Sequence, residues 1–232
     1  MYVRNHMAIL RNLRNIEAAD VSQKHLNKLR ACFNDESWAT SRVLPFRFIA
    51  AARHAVNLEP ELEQAMFKCI ADMEKIPGKT VLLVDVSASM EGPISGKSDL
   101  NCMDAACGLA MLVREICSKS DIYSFSNQLV CVPNRRGFAL RDAIVNSQPH
   151  GGTEAGGAVK TLHMNHVVYD RIIMITDEQS MDRLPDPKGK GYVINVASYK
   201  HGIGYYSWMH IDGMSEAVLD FIQEYEKEYN EK

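Results

Sequence analysis

The 232-residue chain carries 26 Lys/Arg against 29 Asp/Glu for a net charge of -3, with 46% hydrophobic and 24% charged residues. That balance is the balance of a soluble globular protein, and it excludes a disordered chain or a membrane-spanning one, since no apolar run approaches the roughly 20 residues that cross a bilayer. The length suits one α/β unit with a helical appendage. There is no secretory apolar segment at the N-terminus, and the six cysteines form no C-x-x-C pair and sit mostly in apolar stretches, so a reducing cytoplasmic setting is expected.

Residues 1 to about 76 read as helices, with breaks around Ala19 to Ser22, Asn34 to Ser41 and Asn57 to Pro60. In the last of these helices Leu62, Met66, Cys69, Ile70 and Met73 recur at helical spacing, and Pro60 fits its first turn. The charge of this region is skewed: residues 1–57 hold nine Lys/Arg against four Asp/Glu, which leaves -8 for the remainder. Arg11, Arg14, Lys24, Lys28, Arg42 and Arg47 are the candidates for neutralising phosphates of an anionic partner such as RNA. A solvated helix face accounts for the same residues, and composition does not choose between the two readings.

Ile76-Pro77-Gly78-Lys79 interrupts helix and introduces a strand, which places a boundary between a helical segment, 1–77, and an α/β domain, 78–232. Beyond it, near-continuous apolar runs at Thr80 to Val86, Asp121 to Phe125, Arg171 to Thr176 and Gly191 to Ala197 read as buried parallel strands. Helices are expected over Leu100 to Cys117, Leu140 to Ser147, Ala155 to His163 and Ser215 to Glu228, with a short antiparallel edge strand at Gln128 to Val132. The fold class is a doubly wound, mostly parallel α/β sheet with an N-terminal α-helical appendage.

The first strand runs into Asp85-Val86-Ser87-Ala88-Ser89, a second, Arg171 to Thr176, ends in Asp177, and Gly151-Gly152-Thr153 precedes the helix between them. In a doubly wound sheet ligands bind outside the carboxyl ends of the strands. If these two strands are neighbours, Asp85, Ser87, Ser89, Thr153 and Asp177 converge and offer only oxygen donors, the ligand type that suits Mg2+ or Mn2+. Three of the five are neutral hydroxyls, so the ion would keep much of its charge for an external carboxylate, phosphate or water. This arrangement resembles the metal-ion-dependent adhesion site of von Willebrand factor A domains. The resemblance implies direct ligation by Ser87, Ser89 and Thr153, with Asp85 and Asp177 acting partly through bound water.

Met7-Ala8-Ile9-Leu10-Arg11-Asn12-Leu13-Arg14-Asn15-Ile16, Ser41-Arg42-Val43-Leu44-Pro45-Phe46-Arg47-Phe48 and Ile211-Asp212-Gly213-Met214-Ser215-Glu216-Ala217-Val218-Leu219 resemble the Ro ribonucleoprotein, or TROVE, family. In that family a ring of HEAT-like helices closed by a von Willebrand factor A domain binds small noncoding Y RNA outside and single-stranded ends of misfolded RNA in its hole. The resemblance therefore implies a non-catalytic, RNA-binding ribonucleoprotein component. Helical hairpin repeats take roughly 40 residues each, so this chain supplies only the last few helices of such a ring. Either another polypeptide provides the missing repeats, or the chain acts as a metal-dependent protein-interaction module that captures a partner's carboxylate.

Other motifs read as decoys. Gly92-Pro93-Ile94-Ser95-Gly96-Lys97-Ser98 has one residue too few between its glycines for a phosphate-binding loop. Ser87 stands where a phosphoaspartate enzyme would carry a second carboxylate, and no general base is evident beside the metal site, which argues against hydrolase chemistry. His163 and His166 lack the companions of a zinc set, and His150 reads as a solvated loop residue. Tyr205, Tyr206 and Trp208 read as sheet-edge packing rather than base stacking.

Overall fold

The computed structural model describes residues 6–41, 43–94, 100–197, 202–204, 207–213 and 217–230, the side chains of 229 and 230 excepted. The chain divides into two compact units, Met1–Glu74 and Lys75–Lys232.

The first unit is helical: α1 His6–Ala18, α2 Gln23–Phe33, α3 Pro45–His54 and α4 Glu59–Ile70, with 3-10 turns at Glu36–Thr40 and Val56–Leu58. The breaks fall where expected. Asp35 opens the first 3-10 turn by accepting from the Ser37 backbone N–H at 2.9 Å, while Pro45 and Pro60 stand in the first turns of their helices, where a missing N–H costs nothing. The core gathers around fully buried Trp38, whose ring lies 5.6 Å from Phe33 and 5.5 Å from Phe48. Its indole N–H donates to the Cys32 carbonyl at 2.8 Å, so the polar handle is satisfied. Of the expected stripe on α4, Leu62, Met66 and Ile70 are buried, Cys69 is half-buried and Met73 lies past the helix end.

The second unit is a six-stranded sheet of order β3-β2-β1-β4-β5-β6, built from β1 Ile76–Asp85, β2 Cys117–Phe125, β3 Leu129–Cys131, β4 Arg171–Thr176, β5 Lys190–Asn195 and β6 Trp208–Asp212. All neighbours are parallel except β2 and β3. Helices α5 Cys102–Ile116, α6 Gly137–Val145, α7 Ala155–Met164 and α8 Ala217–Asn230 complete it. The mixed α/β class and the mostly parallel sheet are as the sequence predicts. Several boundaries differ: β2 begins at Cys117 rather than Asp121, α6 spans Gly137–Val145 rather than Leu140 to Ser147, and β5 ends at Asn195 rather than Ala197. β1 begins at Ile76 rather than Thr80, because a register shift between Ile76 and Lys79 lets Pro77 and Gly78, with φ +85°, enter a strand they would otherwise end. The sequence reading also misses β6, an edge strand whose half-buried Met209, His210 and Ile211 show no alternation.

Each face of a parallel strand must be covered. Val81, Leu83, Ile172, Met174 and Val193 pack with Ala158, Val159 and Leu162 of α7. The alternate residues Leu82, Ile173 and Ile194 are also fully buried, and α5, buried along most of its length, packs against β1, β2 and β4. At the amino ends of the strands Arg171 forms a bidentate pair with Glu226 of α8 at 2.8 and 2.6 Å and also donates to Thr80 Oγ1 and the Pro77 carbonyl. Among the described residues no helix is long and apolar enough to cross a membrane.

Candidate metal centre

β1 and β4 are paired neighbours, so Asp85 and the residue after β4, Asp177, emerge side by side at the carboxyl edge of the sheet. Asp85 is fully buried; its Oδ1 accepts from the Ser87 backbone N–H at 2.9 Å and its Oδ2 from Thr176 Oγ1 at 2.6 Å. This short turn brings Ser87 back over the strand end, where its Oγ lies 3.1 Å from Ser89 Oγ. Ser87 is buried and Ser89 half-buried.

The Thr153 loop is tied to both neighbours. The Ala88 N–H donates to the Gly151 carbonyl at 3.0 Å, and the Met181 N–H and Ser180 Oγ donate to the Thr153 carbonyl at 3.1 and 3.2 Å. Three loops thus converge, as expected if β1 and β4 are neighbours, which they are. Below them, residues that the sequence reading passed over hold the loop to β2. Ser126 Oγ accepts from the Gly151 N–H and donates to the Gly152 carbonyl, both at 2.9 Å, and Asn127 Oδ1 accepts from the Gly152 N–H at 2.7 Å. Asp182 reaches the start of α7, accepting from the Gly156 and Gly157 N–H groups at 2.8 and 2.6 Å. The available signal was their place directly after β2 and β4, where side chains reach neighbouring loops.

The electrostatics suit a cation. Burial, opposed by hydrogen bonds from Ser87 and Thr176 and assisted by the charge of Asp177, pushes the Asp85 carboxyl up to about 6. Burial and the same two carboxylates raise the Cys102 thiol to about 11, which keeps it protonated and unreactive. Asp177 Oδ1 accepts from the Gln179 N–H at 3.1 Å, but its Oδ2 is buried without a hydrogen-bond partner among the described residues. Such an oxygen is costly unless something satisfies it. Among the described residues no cluster of three or more His, Cys, Asp or Glu forms a metal site. Two carboxylates, one with an orphaned buried oxygen, and three hydroxyls on converging loops are a donor set that fits a small hard cation.

Elsewhere the candidates separate. Arg11 and Arg14 of α1, Lys24 and Lys28 of α2 and Arg47 of α3 are exposed; Arg42 lies outside the described residues. Arg11 and Arg47 are brought near each other: burial first, then the charge of Arg11, lower the Arg47 guanidinium from its ordinary value. Of the loop at 92–98, Gly92 to Ile94 are described and Pro93 bridges to Asn101; residues 95–99, like Tyr205 and Tyr206, fall outside the description. Trp208 is buried and donates to the Pro185 carbonyl at 2.9 Å, a packing role. His163 bonds Tyr169 Oη at 2.9 Å, His166 is exposed, and His150 bonds the Val145 carbonyl at 3.0 Å.

Sheet order, crossovers and the three converging loops define a von Willebrand factor A type domain. A family model described as the Ro60 vWA domain matches residues 79–189, and one described as the TROVE domain matches residues 5–122, about half of the chain. The chain belongs to the TROVE family. The crystal structure of the Ro (RSR) protein of Deinococcus radiodurans is similar over 94% of this chain and 52% of that one, with a TM-score of 0.69 at 16% identity, which shows a shared fold. This chain thus spans about half the length of that relative. An aerotolerance-related membrane protein of Bacteroides fragilis (13% identity, 50% of this chain, 66% of that one, TM-score 0.36) and the conserved hypothetical protein BatB of Bacteroides thetaiotaomicron (10%, 66%, 99%, 0.43) are too distant to bear on function.

Proposed function

We propose that this chain is a non-catalytic, cytoplasmic RNA-binding component of the Ro kind that carries a divalent-cation site. Family membership supports the RNA partner, small noncoding or misfolded RNA, and the basic helices supply the means. Arg11 and Arg47 gather like charge on α1 and α3, which a phosphate would relieve. Filter binding to a structured RNA with single-stranded ends should show affinity falling steeply between 50 and 200 mM salt. The pair Arg11→Glu and Arg47→Glu should weaken it about tenfold or more and flatten the salt slope. Absence of binding even at low salt would sink the RNA reading for this chain alone.

The observation that carries the metal reading is the buried Oδ2 of Asp177, which has no hydrogen-bond partner among the described residues, at the strand end next to that of Asp85. Asp85, Ser87, Ser89, Thr153 and Asp177 would hold Mg2+ or Mn2+, and the ion would supply Lewis acidity and an open position for an external anionic ligand. Titration calorimetry should show one Mn2+ bound per chain, lost in Asp177→Ala. Ser87 in place of a second carboxylate keeps Asp85 a ligand rather than a nucleophile.

A second reading, metal-dependent protein binding, is favoured by the rim. Met181, 75% exposed, extends against Gly152, and Glu91 stands exposed two residues beyond Ser89. An apolar and acidic rim suits a protein ligand that offers a carboxylate beside apolar and basic groups better than a bare phosphate chain. Such a partner, including one supplying further helical repeats, should be recovered with Mg2+ and lost with chelator and with Asp85→Ala.

A further inference from the structure

We infer that Ser126 and Asn127, the two residues that follow β2, are positioning residues that set Thr153 for the cation. The inference rests on the metal reading above, yet neither residue belongs to the ligand set. Buried Ser126 uses its hydroxyl twice, as acceptor from the Gly151 N–H and donor to the Gly152 carbonyl, both at 2.9 Å. Its own carbonyl accepts from the Glu154 N–H at 2.9 Å. Asn127 Oδ1 takes the Gly152 N–H at 2.7 Å. The peptide groups on both sides of Thr153 are therefore held from β2, while its carbonyl is held from the loop after β4.

The loop lies close against the Asn127 side chain. A Cβ on Gly151 would stand 2.5 Å from Asn127 Nδ2, and one on Gly152 would stand 3.0 Å from Asn127 Oδ1, so a side chain at either glycine would push the Asn127 amide aside. Only a side chain that both donates and accepts can serve the two opposed groups that Ser126 serves, and alanine would leave the Gly152 carbonyl without this donor. β2 offers no ligand itself. Its end is the anvil on which the third loop is shaped, as partners behind metal ligands do elsewhere.

Mn2+ affinity of the full chain, measured by calorimetry and by the electron-paramagnetic signal of free Mn2+, tests this. Ser126→Ala and Asn127→Ala should each weaken binding about tenfold or more, and Ser126→Thr, which keeps the hydroxyl, should restore most of it. Ser124→Ala removes an equally buried β2 hydroxyl bonded instead to Ser147 and Gln148; it should lower the melting temperature while leaving Mn2+ affinity within about twofold. Asn127 is exposed, so its variant reports even if Ser126→Ala does not fold. Wild-type affinity in Asn127→Ala, or equal losses in the Ser124 and Ser126 variants, overturns the positioning role alone. A wild-type chain that binds no Mn2+ overturns the metal reading and this one with it.

Discussion

Asp85 illustrates how a buried carboxylate at a candidate site works against its own fold. In the metal-free protein its carboxyl, raised to about 6, binds a proton that the unfolded chain releases near its ordinary 3.8. Its contribution to stability is thus fully present below about 3.8 and is lost as pH rises through about 6. Urea unfolding of the metal-free protein should show this fall, and Asp85→Asn should stabilise it at neutral pH by on the order of 2 kcal/mol while abolishing Mn2+ binding. If Asp85 is a ligand, Mn2+ would displace the same proton, so its affinity should climb as pH rises through about 6. Equal stability at pH 5 and pH 7.5 without metal would contradict the burial argument. Asp85, Ser87, Ser89, Thr153 and Asp177 could be picked out as candidates from the sequence because oxygen donors at strand ends must be particular residue types. Ser126, Asn127 and Asp182 were not, because serine, asparagine and aspartate after a strand are as common in ordinary turns.

At the scale of elements, two contacts fix helices that local propensity does not. The N-cap position of α7, Glu154, makes no side-chain cap, and Asp182 takes the orphan N–H groups of Gly156 and Gly157 instead. Asp182→Ala should cost about 1–2 kcal/mol in urea unfolding; no change would mean that solvent caps the helix equally well. At the far end of the strands, burial would raise the Glu226 carboxyl, but the Arg171 guanidinium more than offsets this and holds it below its ordinary value. Glu226→Gln leaves a buried guanidinium uncompensated and should cost about 3–5 kcal/mol without altering Mn2+ affinity, since the pair lies away from the metal loops. Strands β1, β4 and β5 were visible as apolar runs because burial on two faces writes itself into composition, whereas the polar first half of β2, Ser118 to Asp121, is partly exposed and hid its start. β6, half-covered at the edge with Trp208 buried and Asp212 exposed, left no such trace.

For the whole molecule, the division after Glu74 leaves every proposed cation ligand in the second unit and every basic candidate in the first. Residues 75–232 expressed alone should therefore bind Mn2+ within about twofold of the full chain but lose affinity for RNA; a metal-deaf fragment would show that the first unit shapes the site. The expected doubly wound topology emerged from strand and helix alternation, whereas the pairing of β1 with β4 could only be assumed, since nothing local encodes a contact across 91 residues. That same pairing governs the site's history during synthesis. The bond from Thr176 to Asp85 cannot form until β4 has left the ribosome and closed on β1, and long-range closures of this kind are slow. On the metal reading, cation capture would consequently be a late event in the life of each new chain, and a nascent chain halted before Asp177 would have no site to fill.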